Sequence, residues 1–140
     1  MSPLVPPAAG APRQLRPTEV KRLNREWRRA SDTRLALLLD SVAQPFNVGS
    51  IVRSAAAFGA ERLWLCGNTA PLGHPGVSKT ALGTQRLVAA AVEPNPVAAA
   101  KAAADAVAYI PQSGRVGSLN VAVAAAVAMA EARRRAWAAS

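Results

Sequence analysis

Two short, uninterrupted apolar segments separated by a helical pattern constrain this chain more than any other feature. Residues 35–39 are all apolar, which is typical of a strand buried on both faces of a sheet. Residues 63–66 form a second such segment. Between them, apolar residues recur at helical spacing from Val48 to Phe58. The pattern predicts a βαβ unit, in which a helix joins two parallel strands, and therefore an α/β fold with a mostly parallel sheet.

The remaining elements are predicted from weaker patterns. Asn47 is expected to cap the helix that follows the first strand. The segment 68–77, with two prolines and two glycines, is expected to be a loop. Thr18 is expected to begin a basic amphipathic helix over 18–29. The other predicted elements are a strand over 87–92, an alanine-rich helix over 96–106, a strand over 107–110 and a helix over 118–135.

A length of 140 residues suits one compact domain. The first part of the chain is rich in proline and small residues, which bury too little surface to offset their ordering entropy. We therefore divide the chain into a flexible proline-rich tail, a basic helical arm, one α/β domain and a second tail. The corresponding ranges are 1–17, 18–34, 35–135 and 136–140.

The charge balance points to a polyanionic partner. The chain carries 17 Lys and Arg against eight Asp and Glu, a net charge of +9, and such a field favours nucleic acid. Residues 13–34 hold eight of the basic and three of the acidic residues. A solvated helix face is one interpretation of this segment, and nucleic-acid contact is the other. The candidate RNA-binding residues are Lys21, Arg22, Arg25, Arg28 and Arg29.

Several classes of protein are excluded by what the sequence contains. The single cysteine, Cys66, excludes an internal disulfide framework, and the single histidine, His74, has no partners for a metal site. Charged residues interrupt every apolar stretch before it reaches the length of a membrane span. We therefore expect a soluble, cytoplasmic protein that holds no metal.

The loop after the first predicted strand is the first place to look for a site, because open α/β sheets bind ligands at the carboxyl ends of their strands. Asn47 and Gly49 lie there, and Arg53 follows Gly49 by one helical turn. Helix side chains point back toward the N-terminus, so the Arg53 guanidinium is predicted to lie over Gly49 and face the cleft. A surface ion pair is the alternative for Arg53.

A second polar segment begins at the end of the predicted strand 107–110. It contains Ile110, Gly114, Ser118, Leu119 and Asn120, and it opens the last predicted helix. A glycine-bearing loop that feeds a helix N-terminus offers unpaired backbone N–H groups to a ligand. The alternative is an ordinary loop in which Ser118 caps the helix.

Taken together, these two segments resemble a known family. Residues 47–59, NVGSIVRSAAAFG, and residues 110–124, IPQSGRVGSLNVAVA, resemble the first and third motifs of the SpoU (TrmH) family of RNA 2′-O-ribose methyltransferases, in the SPOUT class. The likeness extends over about 35–83, including Lys79-Thr80-Ala81-Leu82-Gly83, and again over about 103–131.

The resemblance implies a homodimeric α/β-knot domain, with a trefoil knot in its C-terminal part, that transfers methyl from S-adenosylmethionine to tRNA or rRNA. The implied cofactor-binding residues are Ile110, Gly114 and Leu119. The implied residues around the methyl acceptor are Arg53, Asn47, Ser118 and Asn120. Because arginine is a poor proton acceptor, Arg53 is expected to stabilise developing oxyanion charge.

The family's second motif, of the Gly-x-Glu-x-x-Gly kind, is missing between Gly59 and Ile110. Only 50 residues separate these two positions, which leaves room for about one further strand and helix. The chain is therefore interpreted as shortened near 93–98. The alternatives are a non-catalytic RNA-binding or dimerisation remnant that lacks a complete cofactor site, and a degraded reading frame whose product barely folds.

Overall fold

The computed structural model describes residues 13–30, 34–98, 114–115 and 118–139. The chain divides into two compact units. Residues Met1–Thr33 together with Glu131–Ser140 form one, which we call the terminal unit. Residues Arg34–Ala130 form the other, which we call the sheet unit. Each unit is described by itself.

The sheet unit is built on three parallel strands in sequence order. They are β1 (Ala36–Asp40), β2 (Arg62–Cys66) and β3 (Ala89–Glu93), and β2 lies in the middle. The register places Leu38, Trp64 and Ala91 side by side. The predicted α/β class and the parallel pairing of the first two strands are confirmed, and the third predicted strand is shifted by two residues at its start.

The helices of the sheet unit follow the strands. α2 (Pro45–Ala57) connects β1 to β2, and α3 (Pro75–Ala81) and a 3-10 turn (Thr84–Arg86) connect β2 to β3. The last helix, α4 (Val121–Ala139), begins in the sheet unit, and its residues from Glu131 onward belong to the terminal unit. A parallel α/β layer is therefore the frame on which the site residues are placed.

Proline decides where two of these helices begin. The helix expected to be capped by Asn47 begins at Pro45, after an extended Gln44, because proline suits the first helical position. The loop prediction for 68–77 is wrong at its end for the same reason: α3 begins at Pro75. His74 caps α3, since its Nδ1 accepts the Gly76 N–H at 2.9 Å.

The first and last helices also differ from the predicted bounds. α1 (Pro17–Ala30) begins one residue before Thr18. Glu19 reaches back to the Arg16 N–H at 2.7 Å, which is the acidic half of a capping box. α4 begins three residues after the predicted start and continues to Ala139, so residues 136–139, assigned to a tail, are helical.

The core of the sheet unit lies among its strands and helices. β2 contributes Leu63 and Leu65, and α4 contributes Met129. The largest group comes from α2, which buries four apolar side chains at helical spacing. These are Val48, Ile51, Val52 and Ala55.

An aromatic pair joins the two helices of the terminal unit. α1 approaches the end of α4 through Trp27 and Trp137, whose ring centroids are 5.0 Å apart at an angle of 41°, a common geometry for aromatic pairs. Ion pairs on its surface join Arg13 to Glu19 and Arg22 to Glu26.

Several predictions lie outside the described residues. They are the tail up to residue 12, most of the helix over 96–106, the strand over 107–110 with Ile110, and the knot, which depends on the same part of the chain. At the start of that predicted helix, Asn95 accepts the Val97 and Ala98 N–H groups through Oδ1. This is the capping geometry expected where a helix begins.

Candidate functional site

Thr69 joins the two loops that leave the carboxyl edge of the sheet. Its hydroxyl lies 3.0 Å from the Leu39 carbonyl and 2.6 Å from the Cys66 carbonyl. It also accepts the Val42 N–H at 3.1 Å. One half-buried side chain therefore fixes the end of β1, the end of β2 and the loop that leads to α2. Thr69 was not among the residues predicted from the sequence, although a threonine three residues beyond a strand end is a common turn former.

Two residues with positive φ bring the same loops close together. Ser41 has φ 57° and Gly67 has φ 57°. The Ser41 hydroxyl donates to Asp40 Oδ1 at 3.0 Å and accepts the Asn68 N–H at 3.3 Å. A Cβ at Gly67 would overlap the Ser41 hydroxyl, so glycine is required there for space as well as for conformation.

Gly49 is the point of closest approach between α2 and α3. A Cβ at this position would overlap the Val77 carbonyl and the Thr80 hydroxyl. Beside it, the Thr80 hydroxyl donates to the Phe46 carbonyl at 2.8 Å. Backbone and side chain of α3 therefore fill the space beside the Gly49 Cα, and the position predicted for the Arg53 guanidinium stays a prediction.

Asn120 connects the two segments that the sequence analysis selected. Its Nδ2 donates to Asn47 Oδ1 at 3.1 Å. Its Oδ1 accepts the Ala122 and Val123 N–H groups at 2.9 and 3.3 Å, so Asn120, rather than Ser118, caps α4. This double use fixes the amide orientation, because Oδ1 must face the helix and Nδ2 must face Asn47.

The same contact explains why Asn47 does not cap α2. It lies inside the first turn of that helix, and its half-buried side chain accepts from Asn120. Two residues six positions apart in an α-helix are separated by about 9 Å along the helix axis and by about 120° around it. Arg53 lies at this spacing from Asn47, and it is exposed.

The other predicted site residues differ in where they lie in the structure. Ser118 and Leu119 are exposed and directly precede Asn120. Gly114 is exposed, and a Cβ there would meet nothing within 4 Å. Ile110 lies outside the described residues. The structure thus brings together Asn47 and Asn120, and Ser118 and Leu119 are neighbours of Asn120 in the chain. The predicted RNA-binding residues are all exposed on α1, in the terminal unit; they are Lys21, Arg22, Arg25, Arg28 and Arg29.

Cys66 lies in the core at the carboxyl end of β2. It is fully buried, and burial, followed by the nearby Glu93 and Asp40 carboxylates, raises the pKa of its thiol. A thiol with a raised pKa remains protonated and is a poor nucleophile at neutral pH. Cys66 is therefore a small core residue, as the sequence predicted.

No group of three or more His, Cys, Asp or Glu residues in the described ranges could hold a metal ion. None of the helices in the described part of the chain is long and apolar enough to span a membrane.

The fold is similar to those of solved SpoU methyltransferases. AviRb from Streptomyces viridochromogenes matches with a TM-score of 0.66 at 25% identity, over 76% of this chain and 61% of that one. Its complex with AdoMet matches with a TM-score of 0.63 at 26% identity, over 73% and 57%. A protein from Porphyromonas gingivalis, described as a candidate RNA methyltransferase of the TrmH family, matches with a TM-score of 0.61 at 27% identity, over 72% and 59%.

This chain therefore spans about three fifths of the length of those proteins. A comparison with curated proteins found no significant match. The model of the SpoU rRNA Methylase family matches residues 34–103, which include β1, α2, β2, α3 and β3. The chain belongs to the SpoU rRNA methylase family.

Proposed function

We propose that this chain is an RNA 2′-O-ribose methyltransferase that uses S-adenosylmethionine and acts on tRNA or rRNA in the cytoplasm. The observation that carries the proposal is the hydrogen bond from Asn120 Nδ2 to Asn47 Oδ1 at 3.1 Å. It joins residues 73 positions apart, one from each segment that resembles a family motif. Family membership and the AdoMet complex of a similar protein support the same activity.

Two described residues of the second segment support cofactor binding. A Cβ at Gly114 would meet no described residue within 4 Å, and Leu119 is 42% exposed. We propose that these two residues, with Ile110, hold S-adenosylmethionine. The cofactor supplies a methyl group on a sulfonium, which is electrophilic. The protein's contribution is then to bind and orient the acceptor ribose against it.

The side chains near the acceptor have distinct roles in this proposal. Because Oδ1 of Asn47 is occupied by Asn120, Asn47 offers its amide N–H groups to an oxygen of the ribose. Asn120 fixes Asn47, and Ser118 supplies a hydroxyl beside it. Arg53, displaced along α2, offers a guanidinium to the phosphate or to the oxyanion that develops at the hydroxyl. The RNA phosphate accepts the proton, since the guanidinium carries only donors.

A homodimer is also part of the proposal. Val123 and Val127 lie four residues apart on α4 and are 50% and 43% exposed. Residues at this spacing share one face of a helix, and an exposed apolar face is typical of a protein interface. We propose that the corresponding face of α4 packs against a second copy, and Val123→Glu should then shift the sedimentation coefficient to that of a monomer.

One observation favours a second candidate function. The sequence between Gly59 and Ile110 contains no acidic, glycine-rich motif of the Gly-x-Glu-x-x-Gly kind. A non-catalytic RNA-binding or dimerisation protein would keep the basic α1 and the exposed face of α4 without a complete cofactor site. This candidate predicts RNA binding with no uptake of S-adenosylmethionine.

Calorimetric titration with S-adenosylmethionine separates the two candidates, because only the enzyme should give a saturable heat. Transfer of radiolabelled methyl to total tRNA and rRNA then tests the reaction, with ribonuclease digestion to show whether the label lies on the ribose. Arg53→Lys should lower transfer by at least about tenfold, because lysine lacks the planar fork of donors. Arg62→Lys, at an exposed arginine on β2, is the matched control. Undiminished transfer by Arg53→Lys would remove Arg53 from the mechanism.

A further inference from the structure

We propose that the terminal unit is a docking surface for RNA backbone phosphates, in which the Trp27–Trp137 contact occupies the apolar face of α1 and leaves its basic face outward. The inference rests on the proposed RNA substrate and goes further, because it assigns the mode of binding to α1 and makes that mode depend on residues at the other end of the chain.

Charge is concentrated in this unit. Residues 1–33 and 131–140 contain ten of the 17 basic residues and four of the eight acidic ones. Under a third of the chain therefore carries six of its nine net positive charges. Such a concentration of charge raises the local density of a polyanion and speeds its association.

The basic and apolar side chains of α1 occupy different faces. Lys21, Arg25 and Arg28 are four and three residues apart, so they share one face of the helix. All three are exposed, whereas Leu23 and Trp27, on the other side, are half-buried. A row of three cations along two turns spans about 10 Å, which is the reach needed to contact successive phosphates of one strand.

The described carboxylates of the unit are already paired with other arginines. Glu19 binds Arg13 at 2.6 Å, and Glu26 lies 3.8 Å from Arg22. Glu131 binds Arg134 and Arg135 at 2.7 and 2.8 Å. The row formed by Lys21, Arg25 and Arg28 takes part in none of these pairs. Its charges are thus the ones that a phosphate chain would neutralise.

The aromatic pair decides between RNA and a membrane as partner. A basic amphipathic helix can bind a lipid surface by inserting its apolar face. In this chain the Trp27 ring packs on Trp137 at a centroid distance of 5.0 Å, so the apolar face of α1 has a partner within the protein. Apart from Val20, which is 40% exposed, what remains outward is charge, which suits a phosphate backbone and gives no preference for base sequence.

The same pair explains why α1 is ordered enough to bind. A helix of 14 residues is marginal in water on its own, because nucleation is costly. Packing of Trp27 on Trp137 supplies tertiary stabilisation, so RNA need not provide the free energy that orders the helix. Trp137 is thus a positioning residue for a surface to which it contributes no charge.

Binding of two unrelated single-stranded RNAs of about twenty nucleotides, measured by fluorescence anisotropy across a salt series, tests the inference. Wild-type protein should bind both alike, with a log–log salt slope of about −2 to −3 for three or four phosphate contacts. The charge variant Arg25→Gln/Arg28→Gln should bind about tenfold more weakly, with a slope smaller by about 1.5. Arg134→Gln/Arg135→Gln, at arginines already paired with Glu131, is the matched control and should change the affinity less.

Trp137→Ala separates positioning from charge. It should weaken binding about fivefold to tenfold with an unchanged salt slope, because the cations remain and only their ordering is lost. It should also speed tryptic cleavage within α1, and Trp137→Phe should restore both properties. If Trp137→Ala matches wild type while the charge variant is weakened, α1 binds RNA as an independent arm and the inference fails.

The remaining outcomes separate this inference from the proposed function. If the wild-type protein transfers methyl to RNA and the charge variant binds RNA as tightly as wild type, the docking surface is overturned and the proposed enzyme activity stands. Failure to bind RNA and to transfer methyl would overturn both. Tighter binding of phosphatidylserine vesicles than of RNA would make α1 a membrane-surface helix instead.

Discussion

The two units of this protein are stabilised in different ways. The sheet unit depends on contacts at which backbones meet: Gly49 against α3, Gly67 against Ser41, and Thr69 between two strand ends. The terminal unit depends on one aromatic pair and on ion pairs at the surface. We therefore expect the sheet unit to tolerate few substitutions and to be insensitive to salt, and the terminal unit to show the opposite behaviour.

The largest expected effect is that of one methyl group between α2 and α3. Gly49→Ala should lower the free energy of unfolding by about 3 kcal/mol, since an added Cβ in a tightly packed contact forces backbone to move. Gly73→Ala is the control, because a Cβ there meets nothing within 4 Å, and a change within about 0.5 kcal/mol is expected. Urea unfolding followed by circular dichroism measures both. Equal stabilities of the two variants would mean that α2 and α3 do not approach each other as described.

The next largest loss of stability is expected when the Thr69 hydroxyl, which joins the strand ends, is removed. Thr69→Val removes the hydrogen bonds to Leu39, Cys66 and Val42 while keeping the shape of the side chain. Unpaired polar groups in a half-buried position should cost about 2 kcal/mol. Thr69→Ser retains the hydroxyl and should cost less than about 1 kcal/mol, so a serine variant as unstable as the valine variant would assign the loss to the missing methyl instead.

A smaller effect is expected where the two motif-like segments meet. Asn120→Ala removes the cap of α4 and the bond to Asn47, and should destabilise the protein by about 1–2 kcal/mol. Asn120→Asp keeps the cap but replaces the donor that faces Asn47 Oδ1 with an acceptor. If the contact orients the acceptor ribose, the aspartate variant should be near wild type in stability and defective in methyl transfer. Normal transfer by the aspartate variant would show that this contact is structural only.

The first two strands of the sheet unit could be predicted because buried strands leave continuous apolar segments in the sequence. Continuous apolar runs at 35–39 and 63–66 appear in the structure as the paired parallel strands β1 and β2. Sequence alone also selected Asn47 and Asn120, which lie 3.1 Å apart through their amides. A strand buried on both faces is encoded locally, which is why this part could be predicted.

Other features depended on contacts that no local pattern encodes. Asparagine commonly caps helices, yet Pro45 sets the start of α2 and the Asn47 side chain accepts a hydrogen bond from Asn120. Spacing places Arg53 one helical turn after Gly49, but it does not indicate that α3, later in the chain, fills the space beside this glycine. Residues 136–139 were assigned to a tail because nothing nearby in sequence indicates that Trp137 packs on Trp27. Tertiary contacts overrode local preference in each case.

The smallest expected effect, a response to acid, belongs to the terminal unit. Hydrogen bonds from Arg13 and from the Arg16 N–H lower the pKa of Glu19 to about 2, and those from Arg134 and Arg135 lower the pKa of Glu131 to about 2. A carboxyl whose pKa is lower in the folded state stabilises that state above its unfolded pKa, and this stabilisation is lost as the pH falls toward the folded value. Both carboxylates are partly exposed, so solvent and salt screen the effect.

The terminal unit should accordingly loosen between about pH 4.5 and pH 2. Tryptophan fluorescence is a suitable probe of this loosening, because Trp27 and Trp137 belong to the terminal unit and Trp64 to the sheet unit; Trp64→Phe leaves the first two as reporters. Glu19→Gln should produce part of the same change at neutral pH, because the amide keeps an acceptor for the Arg16 N–H but loses the ion pair with Arg13. A fluorescence transition in acid that is identical with and without Glu19→Gln would show that this carboxylate does not hold α1.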